Sequence, residues 1–323
     1  MAPLKVSRFR ESDSEIWDQF VESANNGTLF HTRKFLGYHP PDRFIDHSLI
    51  FWDGSKIAAV FPAAVRVENE TRILHSHPGA SYGGWVVPRD IHLRRSFDLV
   101  QALIQYARSE NFSKIDITFA PIFYSHEINN YLDFSLFMNG FTYRKREVSS
   151  FVTLNLAEDA VLQKFKPESR TAVRRAIKLG VTVRDSNDFP QFYEILKKNL
   201  KMRHNVQPTH TLDELLLLKK MFPDKIHLYG AYLEDQIIAG VVMFHCNPLV
   251  NLAFYISHDE AYQRYRPVNL LFYEVFKESI RQRFRYFDFG IFTVNMEPNW
   301  GLARFKENFG SKGIFRDTFV KVL

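Results

Sequence analysis

The chain has 323 residues, 46% hydrophobic and 15% aromatic, with 31 Phe, one Cys and a formal net charge of +6. That composition excludes a disordered chain, and a single cysteine, Cys246, excludes an internal disulfide framework or a thiol-rich zinc site. The charge tilts the partner list toward anions such as phosphates, nucleotides, CoA, tRNA or an anionic membrane surface.

In chain order, residues 14–23 read as a helix, with Ile16, Phe20 and Val21 sharing a face. Strands are expected near 47–52, 56–65 and 71–75. The segment 75–84, SHPGASYGG at its core, is too rich in Gly, Ser and Pro for regular structure. A helix over 92–109 comes next, then a strand at 114–119, a helix near 125–139 and a strand at 142–148. The second half opens on a strand at 150–154, and a basic helix runs over 167–179, with Pro167 suiting its first turn and Gly180 its end. A strand at 181–185 and helices at 188–200 and 211–221 come next. Strands at 225–232, 236–245 and 249–256 precede a helix over 267–284. The chain closes with a strand at 286–289, a loop, a helix at 300–309 and a strand at 317–322. No apolar run approaches the ~20 residues of a membrane span. The N-terminal residues lack the apolar stretch of a secretory signal, so a cytoplasmic location is expected.

One pattern occurs twice. HSLIFWDGSKIAAVFPAAV at 47–65 and IHLYGAYLEDQIIAGVVMF at 226–244 each read as strand, acidic turn and second strand. Ile57-Ala58 and Ile238-Ala239 are offset by 181 positions. Each copy leads into a long amphipathic helix and a strand with a central aspartate, Asp116 or Asp288. A repeat of this size implies two related domains, 1–149 and 150–323, each an α+β arrangement of a mostly antiparallel sheet flanked by helices. A cleft shared by two such domains is an expected place for a site.

The sharpest chemical segment is the last: DFG at 288–290, a loop, then WGLARFKENFG at 300–310. Asn299 can cap this helix and Gly310 can end it. Lys306 sits beside the stripe formed by Leu302, Phe305 and Phe309, where a lysine can present localised charge to a developing oxyanion. On residue type alone, a solvated lysine is the commoner outcome. Asp288 reads as a base, an orienting group or a hydrogen-bonded structural aspartate. The basic helix aligns Arg170, Arg174 and Lys178 on one face, with Arg175 beside them, which suits phosphate or a solvated surface. Arg264 and Arg266 precede a helix N-terminus that could face a pyrophosphate, although Pro267 brings no N–H. Arg203-His204, read as a loop, could reach an anion. Gly83-Gly84, after Tyr82, permit close approach of a ligand or another backbone. His75 and His77 lack a third ligand, so no metal is expected.

Together RxxVRRAIKLGVTV from Arg170, the EDQIIAG hairpin, YFDFG and LARFKENFG resemble the FemAB-related branch of the GNAT acyltransferase superfamily. WDQFVESANNGTLFHTRKFLGYH, from Trp17, resembles that group's N-terminal helix and entry loop. The resemblance implies tandem GNAT-like domains, the first shaping the acceptor side and the second carrying catalysis. It implies transfer of an acyl or aminoacyl group from acyl-CoA or aminoacyl-tRNA to an amine. The acceptor would be a phosphate-bearing cell-wall or surface-polysaccharide precursor, an amino sugar or an amino acid. No tightly bound cofactor is implied. The resemblance implies that a lysine following a phenylalanine in the last helix stabilises the reacting carbonyl, and those positions match Lys306 and Phe305; with Asp288 these become the catalytic candidates. Tyr82, Gly83, Gly84, His31, Arg33, Arg174, Arg175, Arg203, His204, Tyr255, Arg264, Asn269 and Trp300 become the substrate-binding ones. The proton acceptor stays open among Asp288, His258 and a donor phosphate. The CoA pattern Q/R-x-x-G-x-G/A would fall near Arg264, where Pro267 and Asn269 replace glycines, so the donor stays open too. The alternative is a catalytically inactive GNAT-like module that binds an anion or nucleotide.

Overall fold

The computed structural model describes residues 3–204 and 206–323, and the candidate side chains of Arg203 and His204 lie outside the described set. Contacts divide the chain into two compact units, one reaching to Glu147 and regaining Phe315–Leu323, the other spanning Val148–Ile314.

The first unit contains β1 (Lys5–Arg8), α1 (Ser14–Ser23), α2 (Arg33–Leu36), β2 (Ile45–Asp46), β3 (Leu49–Asp53), β4 (Lys56–Phe61), β5 (Ala63–Glu68), β6 (Thr71–Ser76), α3 (Leu93–Ser109), β7 (Lys114–Thr118) and α4 (Tyr131–Met138). Next, β8 (Thr142–Thr153) is one continuous strand where two were expected. No Gly or Pro interrupts it, so nothing ends the extended run. The helix expected from 125 starts six residues later. The Asn25 side chain accepts from the Glu127 N–H at 2.7 Å and donates to its C=O at 2.9 Å, holding that stretch out of helical geometry.

The second unit contains α5 (Val161–Lys164), α6 (Pro167–Lys178), β9 (Val181–Ser186), α7 (Phe189–His204), α8 (Leu212–Met221), β10 (Ile226–Leu233), β11 (Gln236–Asn247), β12 (Val250–His258), α9 (Pro267–Arg281), β13 (Tyr286–Ile291), a short β14 (Thr293–Val294) and β15 (Glu297–Pro298) pair, and α10 (Trp300–Glu307). Residues 203–204 thus close α7 rather than forming a loop. The last strand, β16 (Lys312–Val322), pairs antiparallel with β7 through Thr318–Val322.

The duplication is visible in strand pairing. In the second unit β10, β11 and β12 form an antiparallel run, and β12 then pairs in parallel with β13. In the first unit the run is broken at Pro62, which has no N–H for a ladder. β4 joins β1 and β3, and β5 joins β2 and β6. The parallel step survives: β6 and β7 pair through Ile73–His75 and Lys114–Asp116. In the second copy the parallel pairs are Val250–Leu252 with Tyr286–Asp288. Both aspartates occupy the third and last parallel pair, after which the strands separate.

Beyond that separation the two units differ. In the first unit the loop after β6 returns into the gap. The Gly83 N–H donates to the Thr118 C=O at 2.8 Å, and Gly83 bridges Phe119 in parallel. Gly84 has φ +83°, and a Cβ there would lie 2.7 Å from the Phe119 ring, so glycine is required. The close approach read from Gly83-Gly84 is therefore to the unit's own backbone. Among the described residues of the second unit, no such loop bridges β13 beyond the parallel pairs.

The many phenylalanines are also explained by the second unit. Phe272 and Phe276 on α9, Phe287 and Phe289 on β13, and Phe305 and Phe309 at α10 interlock, with contacting ring centroids 4.7 to 6.5 Å apart. Each ring buried contributes about 2–3 kcal/mol. This cluster fixes β13 and α10 relative to α9.

Four histidines, His31, His47, His77 and His245, are held down to about 4, in each case mainly by burial, which penalises the charged ring. Their ordinary value is 6.5, so the unfolded chain binds more protons than the fold between pH 6.5 and about 4. Stability is full above that window and is lost as pH falls through it. The thermal midpoint should therefore drop on acidification from pH 7 to 4.5. In His31→Gln the slope should be shallower, as differential scanning calorimetry would show.

Candidate functional site

Where β12 and β13 separate, the second unit holds a cavity of about 550 Å³. That is an ordinary size for a small-molecule site. Its walls come from four elements. The end of β12 supplies Ile256, Ser257 and His258, and α7 supplies Leu196, Asn199 and Leu200. The start of α9 supplies Arg266, Pro267, Val268 and Asn269, and α10 supplies Gly301, Leu302 and Phe305. Strand β12 pairs with β13 only as far as Leu252. Beyond that point its edge is no longer paired with β13.

The walls are fixed locally. Asn199, buried on α7, donates to the Ser257 hydroxyl at 2.7 Å and to the His258 C=O at 2.6 Å. These bonds tie the end of β12 to the helix. Asn299 caps α10, its side chain accepting from the Leu302 N–H at 2.9 Å. Arg266 is the cap residue of α9 and adopts a left-handed backbone with φ +57°. A non-glycine residue in that region carries strain, of order 1–3 kcal/mol. Its guanidinium adds positive charge beside two helix N-termini, α9 and α10.

Lys306 does not line the cavity. It is buried at 2% exposure, and its ammonium donates to the Gly290 and Ile291 carbonyls, both at 2.7 Å. Asp288 is buried behind it. One carboxylate oxygen accepts from the Gly290 N–H at 2.7 Å and from the Ser149 hydroxyl at 2.9 Å. The two charged groups therefore grip Gly290 from opposite sides, its N–H by Asp288 and its C=O by Lys306. Gly290 has φ +70°, and the β13–β8 register shifts between Asp288 and Ile291. The pair holds the strand where it leaves the sheet. Lys306, read as able to present its charge to a reacting carbonyl or to solvent, is a bonded interior group, because the bulge leaves carbonyls that need donors.

Of the other candidates, Phe305 and Asn269 line the cavity. Arg264 is exposed and donates to the neighbouring Tyr265 hydroxyl at 3.0 Å, while Arg266 takes the place at the wall. Trp300 is 77% exposed at the start of α10. Tyr255 is buried against His210, its hydroxyl 2.8 Å from Nδ1, and burial pushes it up to about 12. Arg174 and Arg175 lie exposed on α6. In the first unit, His31 and Tyr82 are packed inside, ring centroids 5.6 Å apart, and His31 Nε2 lies 3.3 Å from the Gly83 C=O. Arg33 pairs with Asp46 at 2.9 Å and covers the Phe9 ring at 3.8 Å. Asn199 and Ser257 were not legible as site residues, since a mid-helix Asn and a strand Ser carry no pattern. Among the described residues there is no cluster of three or more metal-ligating side chains.

Residues 163–307 match the family described as an acetyltransferase (GNAT) domain. The match covers just under half of the chain. The cavity lies wholly within it. No curated protein sequence matches the chain. Among solved structures, FemX shares 14% identity, covers 99% of this chain and 97% of that one, and superposes with a TM-score of 0.77. The tandem GNAT protein from the clavulanic acid biosynthesis pathway shares 9%, covers 99% and 98%, and scores 0.57. L-PGS from Bacillus licheniformis shares 12%, covers 97% and 93%, and scores 0.60. The chain thus has the tandem GNAT fold seen in FemX and in the tandem GNAT protein. No helix of the described residues is long and apolar enough to cross a membrane.

Proposed function

We propose that the GNAT domain moves an acyl or aminoacyl group from an acyl-CoA or aminoacyl-tRNA to the amine of a phosphate-bearing precursor. The observation that supports this most is the cavity at the separation of β12 and β13, with the part of β12 no longer paired with β13 on one wall and Arg266 at a helix N-terminus on another. The amine attacks the donor carbonyl, a C–N bond forms, and the C–S or C–O bond to the carrier breaks. Peptide N–H groups on that part of β12 would meet the oxyanion. His258, on the cavity wall, is the proton acceptor in this reading, because Asp288 is engaged with Gly290 and Ser149. Arg266 would hold a donor phosphate. Phe305 shapes the acyl end, and Lys306 with Asp288 positions the strand behind it. Arg174, Arg175 and Lys178 offer charge to a phosphate-bearing substrate. A cell-wall or surface-polysaccharide precursor is the acceptor class this reading favours, and a cytoplasmic site of action goes with it.

Filling the cavity tests the assignment. Asn269→Trp should weaken donor binding at least about 100-fold, as a bulky side chain excludes the ligand. The measurement is calorimetric titration with acetyl-CoA and with an aminoacyl-tRNA mimic, alongside a melting curve showing that the fold is retained. Undiminished binding would place the donor elsewhere. Tight binding of either donor by the wild type, with no transfer to any amine, would favour the binding-module alternative.

A further inference from the structure

The short helix α4, YLDFSLFM, is apolar almost all round, yet only Leu132, Ser135 and Leu136 are buried. A helix with that pattern is normally enclosed. Here Ile128, Tyr131, Phe134, Phe137 and Met138 are 41 to 62% exposed. Tyr131, Phe134 and Met138 fall at the i, i+3, i+7 spacing by which helices interlock. Beyond the helix, Tyr143 and Phe315 are also about half exposed, with the Arg146 guanidinium 4.4 Å and 3.9 Å from their ring centroids. Asp133 on α4 lies within electrostatic reach of Tyr143, Arg146 and Asp317, so the two apolar areas adjoin.

The size of this patch is informative. Aromatic side chains carry about 150–250 Å² each, so these residues together expose on the order of 600 Å². A typical monomer's largest apolar patch is about 300–600 Å². A standard interface covers about 800 Å² per partner, somewhat more than half of it apolar. The patch therefore supplies the apolar share of one side of such an interface.

The surrounding charge argues against a lipid surface. Arg94 is paired with Asp98 at 3.2 Å, and Arg146 with Asp317 at 2.8 Å. Glu127 is exposed beside the patch, and Asp133 lies within it. An anionic bilayer would meet the carboxylates of Glu127 and Asp133 as well as Lys321, whose ammonium lies beside Gly140 at the end of α4, a mixed set that suits a protein surface better than an anionic one. We infer that the α4 face, with Tyr143 and Phe315, is a dimerisation surface that seats on the same face of a second copy of this chain. Closed two-fold pairing is the commonest way a self-complementary patch is covered.

The test is sedimentation velocity of the full chain from about 1 to 100 µM, where a standard interface is populated. The expected result is a species of twice the 38.0 kDa chain mass. The doubly charged variant Phe134→Glu/Phe137→Glu should sediment as a monomer with an unchanged far-UV circular dichroism spectrum. If that variant does not fold, hydrogen exchange on the wild type serves instead: protection over residues 128–138 should rise with protein concentration. A monomeric wild type across the range would overturn the inference, as would a folded double variant that stays dimeric. A monomer that co-floats with phosphatidylglycerol vesicles would overturn it in favour of a lipid partner. A monomer that does not float would reserve the face for a different protein.

Discussion

Lys306→Met should lower the transfer rate at least about 100-fold while changing donor affinity less than about threefold. The lysine does not touch the cavity, so binding contacts survive its loss. It does hold the Gly290 and Ile291 carbonyls, and through them the end of β13. A shift of about 1 Å in a reacting geometry is enough to cost two orders of magnitude. The variant should also lose about 2–4 kcal/mol of stability, because two carbonyls lose charge-assisted partners in the interior. Asp288→Asn should act in the same direction, since Gly290 would then be gripped less firmly from the other side. The split between rate and affinity is the informative readout. A lysine that bound the donor in its ground state would move both, whereas one that acts by holding β13 moves the rate.

Gly310→Ala should destabilise the chain by about 2–4 kcal/mol, measured by urea unfolding. Gly310 comes after α10 with φ +84°, and a Cβ there would lie 2.5 Å from the Lys164 carbonyl oxygen. The left-handed backbone costs a non-glycine residue about 1 kcal/mol, and overpacking against fixed backbone adds about 1–3 kcal/mol. The clash is with main chain at the end of α5, which cannot rotate away. Because α10 also walls the cavity through Phe305, donor binding should weaken in parallel.

Gly310 was also among the features most legible in the sequence, together with the Asn299 cap, Gly180 and the two aspartate strands. Each rests on local backbone chemistry that a single residue type announces. The tandem architecture was legible because a hairpin 181 positions away repeats it. The unequal fate of the two copies was not. Whether a loop fills the gap between parallel strands depends on where Gly83 meets Thr118, a tertiary contact with no local signal. Lys306 stands out by its motif, but its orientation does not. Helical periodicity places it at the edge of the buried stripe, and only the bulge at Gly290 supplies the carbonyls that draw it inward. Arg266 is visible in the sequence as charge, yet its left-handed backbone becomes apparent only from the turn into α9.

In the proposed function the donor carbonyl sits where β12 and β13 separate. Hydrogen exchange with and without acetyl-CoA or an aminoacyl-tRNA mimic tests this most directly. New protection should be confined to residues 196–200, 256–258, 266–269 and 301–305 and be lost in Asn269→Trp. Protection appearing in the first unit, with the cavity segments unchanged under saturating ligand, would contradict it.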